Sequence, residues 1–184
     1  ACNHKCIFCA NPRMKRKAQN LDETIFTKFV KDAAKLGLEE IGFYTTGEPL
    51  VCKNLESFIN ISAEAGIDYI YITTNGALAN IEKMKKLISA GLNSVKFSVN
   101  AATKDTYKLI HGKDDFDRVV KNIQDLKEYR DSEAPHVRLM ASFVATSFSD
   151  DEVELWKEIV APHVDDAKIM AVAYTHLRAH ETGR

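Results

Sequence analysis

Apolar and polar positions alternate between two rhythms along the chain. From Asp22-Glu23 onward, Ile25, Phe26, Phe29, Val30, Ala33, Ala34 and Leu36 recur near helical spacing, and Gly37 supplies a stop. Residues 40–45 then read as a short buried strand, broken by the turn Thr46-Gly47-Glu48-Pro49-Leu50. The unit repeats. A helix over 55–65 is closed by Gly66 and followed by a strand over 69–73 and the turn Thr74-Asn75-Gly76. A helix over 81–90 is closed by Gly91 and followed by a strand over 94–99 that ends at Asn100. A longer helix over 116–129, with Phe116, Val119, Val120, Ile123 and Leu126 on one face, precedes a strand over 136–145. A helix over 151–160 and a strand over 167–173 complete the pattern.

Regular strand–helix alternation with mostly apolar strands predicts a parallel sheet covered by helices. The pattern does not separate an open doubly wound sheet from a closed or partial barrel. Both place their chemistry at the C-terminal ends of the strands. Thr46, Gly47 and Glu48 follow the first strand; Thr74, Asn75 and Gly76 follow the second; Ser98 and Asn100 end the third; Ser142 sits within the fourth. All would fall on one rim.

Composition narrows the function classes. With 184 residues the chain fits one domain with a sizeable core. A formal net charge of −1 gives no global field favouring nucleic acid or an anionic membrane. The apolar runs fall well short of the roughly 18 residues of a membrane span, and no signal peptide is visible. Of the 4 cysteines, Cys2, Cys6 and Cys9 are clustered and Cys52 is remote. That distribution points to metal or redox chemistry in a reducing compartment rather than to a disulfide framework, so a cytoplasmic location is expected. The stretch 10–20 is polar and basic, a solvated loop or a mouth that attracts an acidic substrate.

The opening loop Ala1-Cys2-Asn3-His4-Lys5-Cys6-Ile7-Phe8-Cys9 carries the strongest chemical signal. A structural zinc site wants four ligands, and an ordinary cubane wants four thiolates. This loop supplies three and leaves one metal corner open. A zinc knuckle remains an alternative, with His4 or a distant residue such as Cys52 as the fourth ligand, although His4 between two of the cysteines would be crowded. Cys52 reads equally as a small buried hydrophobe.

C-x3-C-x2-C with Phe8 before the last cysteine, followed at the next strand end by Gly47-Glu48-Pro49, resembles the radical S-adenosylmethionine (radical SAM) superfamily. The resemblance covers residues 1–173. It implies a partial parallel (β/α)6 TIM-like barrel with its first strand missing. It also implies a [4Fe–4S] cluster held by Cys2, Cys6 and Cys9, with S-adenosylmethionine on the fourth iron. Reductive cleavage would yield a 5′-deoxyadenosyl radical for hydrogen abstraction. Thr45-Thr46-Gly47-Glu48 takes the place of the family's Gly-Gly-Glu motif, with Thr46 in place of the first Gly; Gly47 and Glu48 would receive the cofactor's amino group. Phe8, Asn75, Ser98, Asn100 and Ser142 are the further expected cofactor contacts. Many relatives carry Asp where Asn100 stands.

The run 98–112 is similar to radical SAM proteins with a SPASM-type C-terminal domain, which implies a maturase-like enzyme with a peptide or protein substrate. An external low-potential electron donor of flavodoxin or ferredoxin type is expected as a partner, and neither nucleic acid nor membrane. A non-catalytic zinc-binding α/β domain and an inactive fragment remain the alternatives. Residues 174–184 continue neither periodicity and read as a non-native or disordered tail, so His176 and His180 are discounted as ligands. With no strand before it, the cysteine loop is expected to be the least anchored part of the chain.

Overall fold

A computed structural model of the chain describes residues 1–15 and 17–171. Within them, helix α1 (Glu23–Lys35) begins where the Asp22 side chain accepts the Ile25 N–H at 3.0 Å. Strand β1 (Glu40–Phe43) and helix α2 (Leu55–Glu64) follow, then strand β2 (Tyr69–Thr74) and helix α3 (Ile81–Ser89). Strand β3 (Ser94–Ser98) leads to helices α4 (Lys104–His111) and α5 (Phe116–Glu133). Strand β4 (Arg138–Ala145), helix α6 (Val153–Val160) and strand β5 (Asp166–Ala171) close the sequence of elements.

The five strands are all parallel and neighbour one another in chain order, β1-β2-β3-β4-β5. A doubly wound sheet reverses its strand order at a switch point. This sheet does not reverse, which settles the architecture as the partial barrel type. All five expected strands are present. The last two residues of the strand expected over 167–173, and the whole of the tail 174–184, lie outside the described residues. No helix of the described residues is long and apolar enough to cross a membrane.

Strand alternation sorts the side chains. Ile70 and Ile72 of β2, Val95 and Phe97 of β3, and Leu139, Ala141 and Phe143 of β4 are buried, joined in one core with Phe58 and Ile59 of α2, Met84 of α3, Leu126 of α5 and Trp156 of α6. Tyr71, Thr73, Lys96, Ser98, Ser142 and Lys168 belong to the opposite face by register. Helix α1 departs from expectation. Its apolar positions split, with Phe26 and Val30 buried while Ile25 and Phe29 are exposed. These apolar residues spread over more of the helix circumference than the face that packs on Phe58 of α2 and Phe43 of β1.

Helix α4 was not anticipated as an element. Thr103 caps it by accepting the Thr106 N–H, and Gly112 ends it in the left-handed conformation at φ 68°. Its buried face is Tyr107, Ile110 and His111. The i, i+3, i+4 spacing was present, but one of its three members is a histidine, which a hydrophobic pattern does not count.

Two glycine ends differ in what a methyl group would meet. Gly91 has φ 114°, and a Cβ there would stand 2.7 Å from the Cβ of Ala63. Gly37 has φ 90° with open space around it. Gly91→Ala is therefore expected to destabilise by about 1–3 kcal/mol from strain together with the clash, and Gly37→Ala by less. Urea unfolding of the two variants measures the difference.

The start of α4 is held by Glu152, whose carboxylate accepts the N–H of Ala102 at 2.6 Å and of Thr103 at 3.1 Å and the Thr103 hydroxyl at 2.7 Å. Partial burial alone would raise the Glu152 pKa, but these bonds and one from Thr106 outweigh it and leave it lowered. A depressed folded-state pKa gives stability that is present above the ordinary value of 4.5 and is lost as pH falls through the lower folded-state value. Glu152→Gln should accordingly flatten the acid limb of the stability–pH curve measured by denaturant unfolding.

Candidate cluster and cofactor site

The cysteine loop is tied on both sides. Toward the sheet, Glu48 N–H donates to the Ala1 carbonyl at 2.9 Å, the Asn75 amide to Asn3 Oδ1 at 2.8 Å, and the Asn11 amide to the Thr46 carbonyl at 2.9 Å. Toward α4, Lys5 N–H donates to the His111 carbonyl at 3.1 Å and Ile7 N–H to the Ile110 carbonyl at 2.9 Å. These two carbonyls belong to the last turn of α4, which has no intrahelical partners for them. His4 Nε2 lies 3.0 Å from Asp115 Oδ2, between α4 and α5. This corrects the expectation that the loop is the least anchored segment. Its anchors are Asn3, His4, Asn11 and the end of an unanticipated helix, none of which needs a preceding strand.

Cys2, Cys6 and Cys9 are free and half-buried. Burial is the main cause raising the Cys2 thiol, and it pushes Cys6 up to about 12 with Cys2 and Cys9 adding like charge. Thiols raised in this way stay protonated unless a cationic centre holds them as thiolates. Each sulfur also has a polar neighbour: the His4 N–H reaches Cys2 Sγ at 3.5 Å, the Asn11 N–H reaches Cys9 Sγ at 3.4 Å, and His111 Nδ1 lies 3.5 Å from Cys6 Sγ. Such contacts are what cluster-ligating sulfurs receive, so the donor set fits an iron–sulfur centre. Phe8 stands exposed on the same loop. Cys52 caps a short turn and packs against the core, as a small hydrophobe does.

Beneath the loop lies a layer that sequence reasoning missed. His111 stacks on Tyr107 with centroids 4.1 Å apart, and His4 meets both rings edge-on at 5.6 and 6.0 Å. The recurrence of Tyr107, Ile110 and His111 at helical spacing was the available signal.

Across the loop, Glu48 is buried, and its carboxylate accepts from Thr74 Oγ1 at 2.6 Å, Asn75 N–H at 2.8 Å and Leu50 N–H at 3.1 Å. Burial raises its pKa, and these three bonds oppose that rise. The carboxylate thus joins the β1 rim to the β2 rim. Gly47 leaves room for the chain start, since a Cβ there would stand 3.0 Å from the Ala1 carbonyl oxygen. Thr45 adopts φ 100°, strained for a β-branched residue, and marks where the strand is bent into the rim.

Asn75 has its side chain engaged at both ends, by Asn3 and by the Ala77 N–H at 3.0 Å. Asn100 is buried; its Oδ1 accepts the Val144 N–H at 2.8 Å and its amide lies 3.5 Å from His111 Nε2. Ser98 is half-buried and faces Ser142, which is buried, across the β3–β4 register. The structure therefore gathers the three cysteines, Gly47, Glu48 and Asn75 into one bonded unit, with Asn100 joined through His111. Ser98 is the more open of the residues at the end of β3.

The Radical SAM superfamily profile matches residues 1–140. Among curated proteins, GTP 3′,8-cyclase of Desulforamulus reducens is 36% identical over 127 residues, covering 67% of this chain and 38% of that protein. The GTP 3′,8-cyclase of Aquifex aeolicus is 33% identical over 158 residues, covering 83% and 47%. Among solved structures, Streptococcus suis SuiB bound to S-adenosylmethionine superposes with a TM-score of 0.76 at 17% identity, covering 94% of this chain and 38% of that one. The chain thus spans less than half the length of these relatives. Three thiols lashed to the C-terminal rim of a parallel half-barrel, together with these matches, establish that the chain belongs to the radical SAM superfamily.

Proposed function

We propose that Cys2, Cys6 and Cys9 hold the [4Fe–4S] cluster of this family, which would leave one iron without a protein ligand and available to S-adenosylmethionine. The observation that carries this reading is the bonded unit of cysteine loop and Glu48, closed by the Ala1–Glu48 and Asn3–Asn75 bonds. A cluster bound there would supply the electron for reductive cleavage of S-adenosylmethionine. The chain's own part is positional. Glu48 fixes the relative height of the β1 and β2 rims, Gly47 lets the loop approach, and Ser98 with Ser142 offers hydroxyls on the barrel-facing side. Anaerobic reconstitution in the presence of strong reductant should give a brown protein that converts S-adenosylmethionine to methionine. A colourless protein holding one zinc would overturn the reading.

For the substrate, the reading best supported is a phosphorylated nucleotide. The curated relatives described above are GTP 3′,8-cyclases by name, and Lys96 and Lys168 lie on the face opposite the helix-covered one. Titrating GTP into the cluster-loaded chain, with Lys96→Met alongside, tests this reading. Loss of a charged phosphate contact should weaken binding about tenfold, the equivalent of about 1.4 kcal/mol. Binding of peptides but not of GTP would return the maturase-like reading suggested by the run 98–112.

A further inference from the structure

His111 closes the last turn of α4 and is 1% exposed. Its ring lies at 17° to the Tyr107 ring, and His4 abuts it edge-on, so the ring plane is fixed. One nitrogen faces Asn100 and the other faces Cys6. The backbone N–H of Asn100 lies 3.3 Å from Nε2. A backbone amide can only donate, so Nε2 must present its lone pair. The Asn100 side chain agrees, because its oxygen is committed to the Val144 N–H at 2.8 Å and its NH2 end is therefore the one 3.5 Å from Nε2. With its Nε2 lone pair taken as an acceptor, the ring cannot be the imidazolium and is neutral. A neutral imidazole carries one proton, and with Nε2 accepting, that proton sits on Nδ1, 3.5 Å from Cys6 Sγ.

We propose that His111 is a positioning residue that donates an Nδ1–H hydrogen bond to the Cys6 sulfur and thereby raises the reduction potential of the cluster held there. The inference rests on the cluster reading above. A hydrogen bond to a ligating sulfur stabilises the more negative, reduced state, and such bonds are among the determinants of cluster potential. Through its other nitrogen the same ring meets Asn100, just past β3, so it joins the cluster loop to the C-terminal rim of the sheet. The tautomer also disposes of a competing view. Ligand atoms of His4, Cys6 and His111 lie within 4.8 Å of one another, as in a metal site, but the His111 nitrogen nearest the sulfur bears a proton rather than a free lone pair.

Two measurements test the proposal. In the cluster-free chain, long-range proton–nitrogen correlation of the imidazoles should show Nδ1 of His111 protonated and Nε2 bare, assigned by the peak missing in His111→Asn. Protonation at Nε2 instead would overturn the proposal, whatever the cluster does. In the reconstituted protein, the midpoint potential followed by EPR should fall in His111→Leu, which fills the volume without a donor. It should stay near the unsubstituted value in His111→Asn, whose amide nitrogen occupies the place of Nδ1. Equal potentials in the unsubstituted and Leu proteins, or the same shift in both variants, would contradict it. Failure of the unsubstituted chain to load iron would instead sink the cluster reading and leave the tautomer measurement standing.

Discussion

Replacing Cys6 by Ala is expected to abolish cluster assembly, whereas Cys52→Ala should leave iron uptake intact. The contrast follows from where the two thiols are held. Cys6 lies in the loop between two backbone anchors, Lys5 N–H on the His111 carbonyl and Ile7 N–H on the Ile110 carbonyl. Both anchors are main-chain bonds, so the substitution removes a ligand without untying the loop, and loss of iron is not a folding artefact. With only two thiolates left, the site cannot hold three irons of a cubane. Cys52 packs against the core at the end of a short turn, and its loss should cost only a small packing term. Iron per chain and visible absorbance after anaerobic reconstitution measure the outcome. A full complement of iron in Cys6→Ala would contradict the assignment.

Glu48→Ala should impair both stability and S-adenosylmethionine binding. Its carboxylate brings Leu50 N–H, the Thr74 hydroxyl and Asn75 N–H together beneath the rim. Removing it leaves buried donors unsatisfied, at about 1–3 kcal/mol for each that finds no water. Because Asn75 in turn holds Asn3 of the cysteine loop, the loop loosens along with the rim. Glu48→Gln keeps one acceptor oxygen but sets an NH2 group against a donor, so it should be intermediate. Denaturant unfolding reports the stability loss. Equilibrium binding to the cluster-loaded chain should show at least a tenfold weakening for Glu48→Ala, which corresponds to about 1.4 kcal/mol. Equal affinity in the two proteins would confine Glu48 to a folding role.

What could be read from the sequence follows physical scale. The five strands and most helices were legible because burial on a covered parallel sheet leaves continuous apolar runs and glycine stops, as at Gly37, Gly66 and Gly91. The order of the strands was not legible, since periodicity is local and the sequential pairing of β1 to β5 is a long-range fact. The cysteine triplet and Glu48 were legible as residue types with unusual spacing. Their connection was not: it runs through asparagine side chains, Asn3 to Asn75 and Asn11 to Thr46, that look like ordinary loop residues in sequence. Helix α4 is not legible because His111, buried beneath the loop, reads as polar in any hydrophobic pattern. Asn100 was expected to face a cofactor, and the structure shows its side chain engaged with Val144 and His111.

The most direct test of the central claim is whether S-adenosylmethionine reaches the cluster. The account predicts that the reconstituted, reduced chain binds about four irons and that its EPR spectrum changes on addition of S-adenosylmethionine, because a three-cysteine site leaves one iron free to bind it. A cluster whose spectrum is indifferent to S-adenosylmethionine, or a chain that retains a single zinc and no iron, would contradict it.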